Sequence, residues 1–375
     1  MNPASQAVAT AQDLTNTQKD VLFDVGFDDP SQRAATGILV DRAMRITQSN
    51  DPNIEIMSLA DALRTYDFVQ NLMFGLVDPD ENEHIAKVAE HMHDPLGHFI
   101  WVKPGAKVTL PVQSFTLLET PQARQFTHDI TLIDEGAEVE MISGAAVPHS
   151  VRKGRHISIG ECYMRAGSSC KSVTIEHWGE GMDVHSYGYA QLDKNARSQS
   201  TSVMMAPVAR SASWSVSKLA EGANAVSQAI VLAPDGTERL LETETHLLGK
   251  GATSEDVARM VAAGGTIINN ANLVSEAGGT SGFLGCDGLK LTDRGDIIAV
   301  PALKARAEGA MLSHEASVGI IDSEKLNYLM GAGIDEDAAR NLIIQGFLSL
   351  ESEAIPEQLR ARVTQLIADS KSGGM

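Results

Sequence analysis

Apolar residues recur at two different spacings along this chain, and the switch between them divides it into three parts. Residues 1–95 read as helical. Leu59, Leu63, Tyr66, Val69, Leu72 and Met73 fall at helical spacing, and Ser58 with Asp61 three residues on forms a capping-box signal at their start. Gly75 and Pro79 stop that run, and a second short helix is predicted over Glu83 to His91.

From 96 to 321 the pattern becomes short β-type runs, such as Val139-Glu140-Met141-Ile142 and Val173-Thr174-Ile175-Glu176. A small turn carrying Gly or Asn punctuates them at Gly105, Gly136, Gly167, Asn195, Gly222, Gly251, Gly278-Gly279 and Gly309, with steps of about 27 to 31 residues. Eight evenly spaced turns mean stacked supersecondary units. With strands between the turns, the predicted architecture is a parallel β-helix in which each coil pairs with its neighbours. Gly or Asn at each corner supplies the positive φ of a tight turn. The stretch Ser254 to Ala262 has helical character, and an interrupted coil is expected there.

Residues 322–375 turn helical again. Asp322 or Ser323 caps a short helix bearing Leu326, Leu329 and Met330, which stops at Gly331 and Gly333. Asp335 opens a second helix with Ala339, Leu342, Ile343 and Phe347 on one face, and Pro356 a third. Helices this short need a surface to pack on, either the β-helix or a partner.

Charge narrows the function classes. The formal net charge of −19 repels phosphate backbones and anionic lipid, which argues against nucleic-acid and membrane binding. No run of 18 apolar residues occurs, the first residues lack a signal-peptide pattern, and three cysteines are too few for a disulfide framework. A reduced, cytoplasmic protein is expected. Gly249-Lys250-Gly251-Ala252-Thr253 lacks the spacing of a phosphate-binding loop, so ATP hydrolysis by this chain is not expected.

The candidate chemistry lies near the end of the β-type region. Cys286 sits between small residues, and His314-Glu315 follow 28 positions later. Thiolate, imidazole and carboxylate are ligand types that hold iron or a soft metal. Adjacent residues of a strand face opposite ways, so His314 and Glu315 can act together only at a bend or across an interface. Cys162 and Cys170 lack a zinc-site spacing and read as packing residues. His84, His91, His93 and His98 read as surface histidines of a helix-to-loop segment.

The order Cys286, Ser313-His314-Glu315-Ala316, Gly319-Ile320-Ile321-Asp322, Tyr328-Leu329 to Gly333-Ile334 and Gly346-Phe347 resembles the C-terminal end of the SufB/SufD family of iron–sulfur cluster assembly scaffolds. The likeness extends back through Phe99-Ile100-Trp101-Val102-Lys103-Pro104-Gly105, Asp134-Glu135-Gly136, Thr174-Ile175-Glu176-His177-Trp178 and Asp193-Lys194-Asn195, roughly residues 95 to 350. It implies a right-handed parallel β-helix flanked by N- and C-terminal helical segments. It also implies a nascent, transient 4Fe–4S-type cluster held near a dimer interface by Cys286 with His314 and Glu315. The partners it implies are a SufC-type ABC ATPase docking on Leu326, Leu329, Leu342, Ile343 and Phe347, a second copy or a SufB/SufD paralogue, and a cysteine desulfurase or other sulfur donor. Trp178 and Lys194 match positions of a sulfur route. The family's internal thiol is absent where Ala145 stands, its Arg is Leu117, and its Gln is Glu176. A SufD-type structural partner without a cluster is the alternative. A polysaccharide-acting β-helix enzyme is disfavoured by the few aromatics.

Overall fold

The structure, a computed structural model, describes residues 14–321 and 323–348. Nineteen strands follow one another: β1 Ala35–Val40, β2 Ala43–Ser49, β3 Ile54–Ser58, β4 His98–Val102, β5 Val112–Leu117, β6 Arg124–Ile133, β7 Glu138–Ala146, β8 Lys153–Met164, β9 Ser169–His177, β10 Gly181–Leu192, β11 Arg197–Met204, β12 Arg210–Leu219, β13 Asn224–Pro234, β14 Glu238–Leu247, β15 Thr253–Ala263, β16 Thr266–Ser275, β17 Ser281–Lys290, β18 Asp296–Ala305 and β19 Met311–Ile320. Helices α1 Asn16–Phe23, α2 Leu59–Thr65 and α3 Glu83–Ala89 lie on the N-terminal side, and α4 Ser323–Gly331 and α5 Glu336–Leu348 on the C-terminal side.

From β4 onward the strands alternate between two sheets, ordered β19-β17-β15-β13-β11-β9-β7-β5-β1-β2 and β18-β16-β14-β12-β10-β8-β6-β4-β3. This is a parallel β-helix of about eight coils, as the turn period predicts. All eight predicted corners hold a residue of positive φ, from +57° at Asn195 to +74° at Gly309, with Gly279 rather than Gly278 taking it at the seventh. The next residue is small at every corner. Ala137, Ser168, Ala196, Ala223, Ala252 and Thr280 are all completely buried, which lets successive corners stack.

Two expectations fail here. Ser254 to Ala262 is not helical but forms most of β15, paired in register with β13 and β17. Its Glu, Ala, Arg and Met residues favour helix locally, but pairing on both sides overrides that preference. Its third to last alternate positions, Ala258, Met260 and Ala262, are buried, at period two. The first 95 residues are not all helical either. The hairpin β1–β2 adds to one sheet through β1 and β5, and β3 pairs antiparallel with β4 on the other. Every residue of β1 is buried, so no alternation marked it as a strand. The run from Ser58 to Met73 divides into α2, capped by Ser58 as predicted, and a 3-10 turn over Asp67–Asn71. The helix expected after Pro356, and the cap at Asp322, lie outside the described residues.

The N-terminal segment is fastened to the solenoid by a buried carboxylate. Glu161 on β8 accepts from the backbone N–H of Phe74 (2.7 Å) and Leu76 (2.6 Å), from Tyr163 Oη (3.2 Å) and pairs with His128 Nε2 (2.8 Å). Ile85 and Val88 of α3 then cluster with Ile157, Ile159 and Tyr189. At the far end α5 packs on the outside of the other sheet through Ile344 and Phe347.

Inside the corner region His156 stacks on Trp178 (ring centroids 4.6 Å apart) and bonds to Gln125 Oε1 through Nδ1 (2.9 Å). Burial pushes the His156 imidazole down to about 4, against an opposing pull from Asp129. The unfolded chain gains this proton near pH 6.5, whereas the folded chain resists it until about 4. Stability is therefore complete above about pH 6.5 and falls as pH drops toward 4, by a few kcal/mol at most from this group. Melting temperatures measured across that window should fall less steeply for His156→Phe than for the parent; equal slopes would remove His156 from the account.

No described helix is long and apolar enough to cross a membrane.

Candidate functional site

The coil register decides which side chains can meet. On one sheet, Ser172, Ser200, Ser227, Asp256, Leu284 and His314 form one in-register row, and Thr174, Ser202, Ala229, Ala258, Cys286 and Ala316 the next row on the same inner side. Cys286 and His314 are thus diagonal neighbours on adjacent strands, about 8 Å apart between Cα atoms by standard strand spacings. Glu315 pairs with Gly285 and has the opposite parity, so it points away from them. Among the described residues no three His, Cys, Asp or Glu side chains gather to hold a metal ion. One chain therefore brings Cys286 and His314 to one face and leaves Glu315 on the other.

Cys286 is 1 % exposed. Its sulfur accepts one hydrogen bond, from Asn269 Nδ2 at 3.3 Å, reaching across from β16 on the opposite sheet. Burial pushes the thiol up, as do the carboxylates of Asp256 and Asp287, while the Asn269 bond pulls it down. Only β19 separates Cys286 from the end of its sheet, and among the described residues no strand pairs with β19 on its far side. His314 and Glu315 are exposed on this edge strand. Met311, Val318 and Ile320 of β19 and Ile298 and Val300 of β18 are also exposed, an apolar concentration at an unpaired sheet end.

The solenoid holds a cavity of about 470 Å³ that reaches Asp256 on the strand next to that of Cys286 but is not lined by Cys286 itself. Small hydroxyl residues such as Ser172, Ser200, Ser202, Ser213 and Ser215 line it, and their size is what leaves the lumen unfilled. Cys162 and Glu176 line one part and Asp256 another. Asp256 accepts from Ser227 Oγ at 2.8 Å. Burial raises both carboxyls above their ordinary range. Burial also pushes the Cys162 thiol up to about 12, and the Cys170 thiol higher still. Cys170 packs in the core with Met164 and Leu192.

The two residues matched to a sulfur route lie elsewhere. Trp178 is 2 % exposed in a cluster with Val147, Val151 and Met182, and its Nε1 donates to Glu176 Oε2 at 3.1 Å. Lys194 stands at a corner with its ammonium on Glu221 (2.9 Å), both well exposed. Neither lines the cavity. The C-terminal helices also redistribute the predicted partner face. Leu326 is buried, Leu329 and Ile343 are half-buried, and Phe347 packs on the solenoid, so of these five only Leu342 is exposed. Tyr328 and Met330 of α4, which the predicted partner face does not include, are exposed.

The histidine cluster is not a surface feature throughout. His98 is buried and bonds to Asp129 Oδ1 (3.1 Å), and His84 stacks on His185 with centroids 3.9 Å apart. Residues that spacing missed are Asn269 and Asp256. An Asn and an Asp in polar-looking runs carry no local signal; only the coil register brings them to the thiol.

Residues 116–347 match the family described as SUF system FeS cluster assembly, SufBD core domain. The chain is similar to an iron–sulfur cluster assembly SufBD family protein of Archaeoglobus fulgidus, 29% identical over 93% of this chain and 94% of that one. A SufBD family protein of Methanothermobacter thermautotrophicus is 28% identical over 98% and 91%. The iron–sulfur cluster assembly protein SufB of Bacillus subtilis is 24% identical over 74% and 61%.

Proposed function

Since this chain belongs to the SufBD family of iron–sulfur cluster assembly proteins, we propose that it is the scaffold on which a transient cluster, of 4Fe–4S type, is built at Cys286. The observation that carries this reading is the thiol's position, one strand in from an unpaired edge that bears His314 and Glu315. The cluster is cargo. Cys286 supplies a soft ligand, and His314 and Glu315 supply harder ones, a mixed set that holds cargo loosely enough to hand it on.

Because Glu315 faces away from Cys286 within one chain, the site is completed by a second copy. Two β19 edges brought together by a twofold axis would place both ligand sets at one seam and cover Val318 and Ile320. The protein is therefore expected to be a dimer in light scattering. Val318→Asp with Ile320→Asp should make it monomeric, since each would bury an unpaired charge in that seam. A monomeric parent would sink the shared-site reading.

A SufC-type ATPase would dock on the exposed tips of α4 and α5 and drive opening of the seam. Replacing Tyr328 and Leu342 together by Asp should abolish co-purification with that ATPase while leaving the melting temperature of the solenoid within a few degrees. Phe347 is a poor test, because it also holds α5 in place. Sulfur from a cysteine desulfurase or similar donor would travel along the hydroxyl-lined cavity past Cys162, in preference to Lys194.

The burial of Cys286 favours one second reading, a SufD-type partner that dimerises and binds the ATPase without carrying a cluster. Anaerobic reconstitution with iron and sulfide, followed by absorption and EPR spectra, separates the two: the scaffold turns brown, and the structural partner stays colourless.

A further inference from the structure

We infer that Asn269 is the positioning residue of the Cys286 sulfur: its side-chain N–H aims and activates the thiol from across the lumen. This rests on the reading of Cys286 as the assembly thiol. Asn269 is 2 % exposed and stands in the row Ser213, Leu241, Asn269, Ala299 of the opposite sheet. Its neighbourhood is apolar. Cys286 clusters there with Leu241, Ala258, Met260, Ile267 and Ile297. A buried amide in such surroundings weakens folding unless it is satisfied, and a hydrophobe of the same size would pack there at no such cost. The contact described for this amide is Nδ2 to Cys286 Sγ at 3.3 Å, and it is also the one hydrogen bond described for the sulfur.

The chemistry suits the position. An N–H donor stabilises sulfur as it gains negative charge, whether on attacking an electrophile or on ligating iron. Hydrogen bonds to sulfur are also among the features that tune iron–sulfur centres. The bond joins the two sheets, so it holds the sulfur toward the lumen while β19 closes the outside. Asp256, two residues before the in-register partner of Cys286, has the opposite tendency, which makes Asn269 the group that counters it.

Packing and donation differ over Asn269→Leu: with volume kept, a packing role predicts an unchanged rate and a donor role a slower one. In a Cys162→Ser, Cys170→Ser background only Cys286 remains, and alkylation of the apo protein by iodoacetamide at one fixed pH is followed by mass spectrometry. Asn269→Leu keeps the volume and removes the donor; its rate should drop about tenfold, as for loss of one hydrogen bond to a charged group. Asn269→Ser loses volume and keeps a donor, and should react faster than the leucine variant. Asn269→Met replaces the leucine variant should that one fail to fold. A leucine (or methionine) variant as fast as the parent, or a serine variant no faster than it, overturns the inference. The readout uses no cluster. Loss of the cluster in Cys286→Ser tests the assembly reading separately.

Discussion

Replacing Cys286 by serine is expected to abolish cluster formation on this protein. Serine keeps the size but removes the soft, polarisable sulfur that iron–sulfur chemistry requires. The position lies in a packed cluster where a near-isosteric change leaves neighbours in place, so the fold should survive. Anaerobic reconstitution should then give the parent a broad visible absorption and the variant none. On the proposed shared site, His314→Ala and Glu315→Ala should lower the yield without eliminating it, because each would remove one hard ligand from a set contributed by two copies. Cys162→Ser with Cys170→Ser should retain most of the cluster formed from supplied sulfide. A normal cluster on Cys286→Ser would transfer the assignment to the SufD-type reading.

The largest effect on stability is expected at Glu161. This carboxylate is fully buried and is contacted by two backbone N–H groups of the N-terminal segment, a tyrosine hydroxyl and His128. Glu161→Ala strands the two backbone N–H groups and His128 Nε2, while Tyr163 Oη keeps its bond to the Leu72 carbonyl at 2.6 Å. Removing one member of a buried charged network costs about 3–5 kcal/mol, a sizeable fraction of the stability of any domain. The melting temperature should fall by several degrees, and protease should cut first between about residues 66 and 95, where the N-terminal segment is released. Glu161→Gln should fall between parent and alanine, since its amide oxygen still accepts one of the backbone bonds. An unchanged melting temperature together with unchanged proteolysis would mean that α3 and its apolar contacts hold the segment without help.

The corner residues made the fold legible. Gly105 through Gly309 must take positive φ, and few residue types tolerate it, so the requirement is written directly into residue identity. Strand β15 was not legible, because its composition favours helix and only its pairing with β13 and β17 makes it extended. Strand β1 was hidden for a different reason: buried on both faces, it lacks the alternation that marks a half-exposed strand. At the site, Cys286, His314 and Glu315 could be picked out by type and order. Their facing could not, because it follows from the one-to-one register of β17 and β19. Asn269 lies 17 residues from its sulfur partner, on the opposite sheet, and no local pattern announces a contact that depends on how one coil closes.

Among the described residues the two ends of the solenoid differ. At its N-terminal end the antiparallel strands β2 and β3 bring each sheet to a stop, whereas β18 and β19 pair with no further described strand. Such a stack has a direction, and if a second copy covers its last coil, that coil would rely on concentration rather than on the chain itself. In the proposed dimer, head-to-head pairing of two open ends would use up both adhesive edges, so growth would halt at two copies and no filament would form. Dilution then acts as a reagent. As the pair separates, β18 and β19 lose their cover and should exchange amide hydrogens first, and Cys286, one strand further in, should become reactive in step with them.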